Sequence, residues 1–149
     1  MSLYFHKSHN VSVLLYHIVC PVKYRRVVFG QKVDQELKLV CLELAKRYDI
    51  HFLEIGTDKN HVHFMVQSVP MYSPTKIVKM IKSITAREIL SRIPEVRKEL
   101  WGGAFWFDGY YISTIGRYGT EDTVRTYVKK QGMDKDYVMI HKDQLKLNF

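Results

Sequence analysis

The stretch Asn60-His61-Val62-His63-Phe64-Met65-Val66-Gln67 limits what this chain can fold into more than any other. Its side chains alternate with the period of a β-strand, so Val62, Phe64 and Val66 point one way and His61, His63, Met65 and Gln67 the other. The apolar trio is expected to face a core, and the two imidazoles to share an open face. Neutral imidazole nitrogens a short distance apart bind a divalent metal when a third oxygen or nitrogen ligand arrives from elsewhere. Alone, His-x-His is a weak signal. Histidines that are solvated or hydrogen-bonded on a half-exposed strand show the same spacing.

The neighbouring segments extend this strand into a sheet with helices. His51-Phe52-Leu53-Glu54-Ile55-Gly56 reads as a partner strand and Thr57-Asp58-Lys59-Asn60 as the turn of a hairpin, which puts His61 beside the turn, near an edge open to substrate. Upstream, a short polar arm expected to be disordered leads into residues 11–20, β-branched and apolar enough for a central strand that Pro21 ends. Between these strands, Leu37, Val40, Cys41, Leu44 and Ala45 fall at helical spacing over residues 33–48. Asp34 and Glu36 sit near that helix's start and Lys46 and Arg47 near its end, as the helix dipole prefers. A second helix is expected from a Ser73 or Thr75 cap to about Leu90, with Ile77, Ile81, Ile84 and Ile89 on its apolar side.

The remaining third is less regular. Trp101-Gly102-Gly103-Ala104-Phe105-Trp106 is too rich in glycine and aromatics for a helix and reads as a loop into a last strand, 111–115. Core packing explains Trp101, Phe105 and Trp106, and stacking on unpaired bases is the sharper alternative. Thr120, Glu121 and Asp122 then open a final helix that Gly132 stops, with Tyr127 and Gln131 four apart on one face.

With 149 residues, 46% hydrophobic and 13% aromatic, the chain suits one domain, 1–149, with one core. No run approaches the roughly 18 apolar residues of a membrane span, and the polar start lacks a signal peptide's apolar stretch, so a cytoplasmic location and no membrane partner are expected. Cys20 and Cys41 lie in apolar stretches without metal-binding spacing and read as small buried hydrophobes rather than nucleophiles.

Lys and Arg number 23 against 15 Asp and Glu, a formal charge of +8, which favours a polyanionic partner, most simply nucleic acid. Lys23-Tyr24-Arg25-Arg26 sets three cations around an aromatic ring, suited to phosphates and a stacked base, and equally to a solvated turn with Tyr24 over the core. Lys76, Lys79, Lys82 and Arg87 supply the polar faces of the second helix, where they either hold a nucleic-acid backbone or are simply solvated.

Taken together, Tyr16-His17, Lys23-Tyr24-Arg25-Arg26, Asn60-His61-Val62-His63, Trp101-Gly102-Gly103-Ala104-Phe105-Trp106, Tyr111-Ile112-Ser113-Thr114-Ile115-Gly116 and Tyr127-Val128-Lys129-Lys130-Gln131 resemble the single-tyrosine transposases of the IS200/IS605 insertion sequences, which belong to the His-hydrophobic-His endonucleases. The resemblance implies an α+β fold, ferredoxin-like or RNA-recognition-motif-like, with an antiparallel sheet, helices on one face and a C-terminal helix carrying the nucleophile. It also implies a homodimer whose sheets join and, as partners, single-stranded DNA hairpins at the element's ends. On this likeness Tyr127 attacks a phosphodiester to form a 5′-phosphotyrosine link, while His61, His63 and Gln131 hold Mg2+ or Mn2+; zinc or nickel would also bind histidine ligands. Tyr110, Tyr111 and Tyr118 lie in strand or loop and Tyr137 beyond the helix, so none has Gln131 one turn away.

The chemistry suits these residue types. A phenol of pKa about 10 is only about 0.1% ionised at neutral pH and needs help both to lose its proton and to meet an anionic phosphate. A cation held by neutral ligands keeps its full charge for that task. Two rivals share the fold. One is a domesticated relative that nicks repeated chromosomal hairpins, and the other a noncatalytic nucleic-acid-binding module in which His61, His63 and Tyr127 only pack.

Overall fold

Hydrophobic alternation and helical periodicity turn into strands and helices largely where expected in the computed structural model, which describes residues 5–6, 10–22, 30–58, 60–99, 104–115 and 137–138. Lys23, Tyr24, Arg25, Arg26, Trp101, Tyr118 and the expected final helix with Tyr127 and Gln131 lie outside the described residues. In chain order the elements begin with β1 (Phe5–His6), β2 (Val11–Ser12), β3 (Leu14–Pro21), α1 (Gln31–Arg47), β4 (His51–Thr57) and β5 (His61–Ser68). They continue with α2 (Pro74–Arg92), α3 (Pro94–Glu99), β6 (Tyr111–Ile115) and β7 (Tyr137–Val138). Part of the arm expected to be disordered is ordered, because Phe5 and His6 pair with Ser12 and Val11.

Five strands form one antiparallel sheet in the order β6-β3-β5-β4-β7. Counting only the four longer strands in chain order, that is 4-1-3-2 with a helical connection after the first and the third, the ferredoxin-like arrangement. The histidine strand β5 is therefore central, between β3 and β4. Helix α1 starts at Gly30 without a side-chain cap, whereas α2 is capped by Ser73, whose hydroxyl accepts from the Lys76 amide at 3.1 Å, with Pro74 in the first turn.

Both long helices cover the same face. Val33, Leu37, Cys41 and Leu44 of α1 and Ile77, Val78, Ile81, Ile89 and Leu90 of α2 share a core cluster with Ile18, Phe52, Ile55, Val62, Phe64 and Val66 of the sheet. Burying each such side chain stabilises the fold by about 1.5–3 kcal/mol before entropy is counted. The apolar trio of β5 thus faces the core as its alternation predicts.

The other face is not open as expected. His17, Glu54, Met65 and Gln67 are all buried there, and His63 is only 4% exposed. Alternation separates two faces of a strand without saying that the second is wet, and a central strand is covered on both sides far more readily than an edge. Along β5 this face reaches solvent only toward the turn, at His61, whose side chain is 28% exposed. A bulge between Phe52 and Glu54 shifts the β4–β5 register and brings Glu54 opposite Met65, onto the imidazole side.

Candidate active site

His61 and His63 project from the first turn-proximal residues of β5 on one side, their rings 4.8 Å apart between centroids and inclined at 72°. The turn that carries them is pinned from behind. The Val22 amide donates to Asn60 O at 2.8 Å, the Asp58 amide to His61 O at 2.9 Å, and the Phe107 amide to Pro21 O at 2.9 Å, so three chain segments meet at this end of the sheet.

Each ring has one nitrogen held. Asn60 Oδ1 lies 2.8 Å from His61 Nδ1, and since an amide oxygen only accepts, Nδ1 carries the proton and Nε2 the lone pair. That lone pair faces Asp58 Oδ2 at 3.5 Å, and two electron-rich groups at such a distance are stabilised by a proton or cation nearby. His63 Nδ1 lies 3.3 Å from Nε2 of His17, a residue of β3, while His63 Nε2 is buried without a hydrogen-bonding partner among the described residues. An orphaned buried imidazole nitrogen is costly unless something else, such as a metal ion, binds it.

Burial pushes the His63 imidazole down to about 4, reinforced by the neighbouring rings of His61 and His17 and opposed by Asp58. His17 is lowered by burial too. Both rings are therefore neutral near pH 7, the state in which an imidazole ligates metal. The donor set fits a divalent cation at the two Nε2 atoms, and it is incomplete. No group of three or more His, Cys, Asp or Glu able to hold a metal occurs among the described residues.

A family model described as "Transposase IS200 like" matches residues 10–131. The chain belongs to the IS200-like transposase family. The ISDra2 transposase TnpA of Deinococcus radiodurans is 28% identical over 118 residues, covering 79% of this chain and 84% of that protein. The transposase for insertion sequence element IS200 of Salmonella typhimurium is 23% identical over 116 residues, covering 78% and 75%. Among solved structures, a transposase of Deinococcus radiodurans R1 superposes with a TM-score of 0.68 at 24% identity, over 85% of this chain and 97% of that one. A REP-associated tyrosine transposase bound to a REP hairpin superposes with a TM-score of 0.55 at 13% identity, over 87% and 69%. These two share the fold, with the sheet and helices as the resemblance implied.

The remaining residues singled out in this transposase divide by face. Lys76, Lys79 and Lys82 line a groove of about 1000 Å3 between α2 and residues 104–110, on the helix side of the sheet, away from the imidazoles. Lys76 Nζ sits 5.0 Å over the Tyr72 ring, whereas Lys82 Nζ is held by the carbonyls of Phe107 and Asp108 at 2.7 and 3.2 Å. Arg87 is exposed beside Glu88, outside the groove. Phe105 and Trp106 are buried against the core, which favours packing over base stacking for both. Cys20 and Cys41 are free and fully buried, and burial pushes the Cys20 thiol up to about 12, far from a nucleophile's range.

Among the described tyrosines, Tyr111 shares the imidazole side, its ring edge-on to His17 at 6.1 Å and half exposed. Asn60 and His17 are the residues at the site that spacing did not single out. A histidine inside the apolar run of β3 was the available signal. No described helix is long and apolar enough to cross a membrane.

Proposed function

We propose that this transposase cuts and rejoins single-stranded DNA at hairpin-flanked element ends through a 5′-phosphotyrosine link, with Tyr127 as nucleophile and His61, His63 and Gln131 as ligands of Mg2+ or Mn2+. The observation that carries this reading is the pair of imidazoles on one side of β5, each with Nδ1 engaged, His63 Nε2 buried without a hydrogen-bonding partner among the described residues and His61 Nε2 turned to the Asp58 carboxylate. When bound, the ion would offset negative charge growing on the phosphate.

The chain's own residues do the rest. Tyr127 Oη forms a bond to phosphorus and gives up its proton to solvent, and the P–O3′ bond breaks, the leaving O3′ taking a proton from solvent to become a 3′-hydroxyl. That hydroxyl later attacks the phosphotyrosine, restoring the phenol and making a new junction, so the energy of the broken bond is retained and neither ATP nor water is consumed. Lys23, Tyr24, Arg25 and Arg26, with Lys76, Lys79, Lys82 and Arg87, grip backbone phosphates. The solved relative's REP hairpin supports a hairpin ligand for the same fold. A homodimer completes the assembly on this reading.

Incubating the protein with labelled single-stranded DNA from the flanks of its own gene and Mg2+ tests the proposal. A protein–DNA adduct that survives denaturation is expected. Tyr127→Phe should lose the adduct while keeping hairpin binding, and Tyr111→Phe should keep both. An adduct that persists in Tyr127→Phe would sink the assignment, and its absence from the wild type would favour a noncatalytic binding module.

A further inference from the structure

We propose that His17 is a positioning residue for the imidazole pair: its Nε2 accepts the Nδ1 proton of His63 and so fixes the tautomer and ring plane that turn His63 Nε2 toward a divalent cation. This rests on the metal reading above and adds a residue to it.

The pairing of β3 with β5 makes the contact. Val19 stands opposite His63 and His17 opposite Met65, so His17 is the diagonal neighbour of His63 on the imidazole side. The two rings are nearly parallel, 13° apart in plane with centroids at 5.5 Å, and the Nε2–Nδ1 distance is 3.3 Å. Both side chains are buried, His17 at 1% exposure and His63 at 4%, so bulk water does not substitute for the contact.

A single proton lies between those two nitrogens when both rings are neutral, and two directions are available. Each direction puts the remaining proton on the outer nitrogen of one ring, His63 Nε2 if His17 donates and His17 Nδ1 if His63 donates, and both atoms are buried. If His17 donates, His63 has no lone pair on Nε2 for a cation. If His63 donates, Nε2 keeps a lone pair, which is what a cation requires. The second direction also makes His63 match His61, whose Nδ1 proton is taken by Asn60 Oδ1. Two unrelated partners, an amide oxygen and an imidazole nitrogen, thus leave the lone pair on the same atom of each ring, that of His61 lying 3.5 Å from Asp58 Oδ2. Without His17, a half-turn of the His63 ring about Cβ–Cγ would exchange nitrogen for carbon at no loss of a hydrogen bond.

Long-range 1H–15N correlation of the histidine rings in metal-free protein tests this directly, alongside Mn2+ titration. His63 should be the Nδ1–H tautomer in the wild type. In His17→Phe, a ring without an acceptor, that preference should be lost and Mn2+ affinity should fall by about 10–100-fold. His17→Gln, whose Oε1 accepts the same proton, should restore most of both, which a purely structural role would not predict. An Nε2–H tautomer in the wild type overturns the proposal, and does so even if His17→Phe fails to fold. Wild-type Mn2+ binding that His17→Phe leaves unchanged overturns only the role of His17, whereas a wild type that binds no Mn2+ overturns the metal reading beneath it.

Discussion

Trp106 Nε1 donates to Thr85 Oγ1 at 2.9 Å, and both side chains are buried. The same hydroxyl donates to Ile81 O at 2.6 Å, so it passes a hydrogen bond from the indole into the backbone of α2. Together with the Lys82 contacts to Phe107 O and Asp108 O, this attaches residues 104–110 to the helix side of the sheet. Phe107 in turn reaches Pro21 O, at the end of β3 beside the imidazoles.

Replacing Thr85 by Val keeps the shape and removes the acceptor. The Trp106 N–H would then be buried without a partner, and unfolding in urea should show a loss of about 1–3 kcal/mol. Thr85→Ser, which keeps the hydroxyl, should lose less. Equal midpoints for Thr85→Val and wild type would show that the bond carries no weight.

Lys76 and Lys79 line the groove with no acidic partner among the described residues, so their charge is available to phosphate. If they grip backbone, affinity for single strands should fall with salt at a logarithmic slope of about 0.7 per phosphate neutralised, and each Lys→Ala change that removes one contact should reduce that slope by about the same amount. Lys82→Ala should differ, because its ammonium is already engaged by two carbonyls, and should lower stability as well. Salt-independent binding would remove these lysines from the interface.

His61→Ala takes away one of the two imidazoles proposed to hold the ion. Mn2+ binding and cleavage should both be lost while hairpin binding remains, since the lysines of α2 lie on the other side of the sheet. Chelation by EDTA should have the same effect on wild type, reversed by adding Mg2+ or Mn2+. Cleavage that survives both treatments would exclude a metal from the reaction.

How much of this was legible beforehand depends on the range of each interaction. Val62, Phe64 and Val66 announce their burial because strand alternation is local, and Ser73-Pro74 announces the start of α2 for the same reason. Burial of Met65 and Gln67 is set by the place of β5 in the sheet, which no local pattern records. The bulge at Leu53 is equally silent, since Phe52-Leu53 reads as an ordinary apolar pair. His17 meets His63 across 46 residues of chain, a contact made only when β3 and β5 pair. The imidazole pair was visible as His-x-His, while the partners that orient its rings were not.

The buried imidazoles also give the metal-free protein a characteristic response to acid. An unfolded chain takes up a proton at residue 63 as pH falls through about 6.5, but folded His63 does so only near 4. Between those values the unfolded state binds more protons, so stability is full above about pH 6.5 and declines toward pH 4. At 1.36 kcal/mol per unit the loss has a ceiling of roughly 3 kcal/mol, and His17, lowered by burial, pulls the same way. Urea midpoints of EDTA-treated protein should fall between about pH 7 and about pH 5, and His63→Gln, which cannot titrate, should flatten that fall. If wild type and His63→Gln decline in parallel, the buried ring does not set the acid response and the carboxylates do.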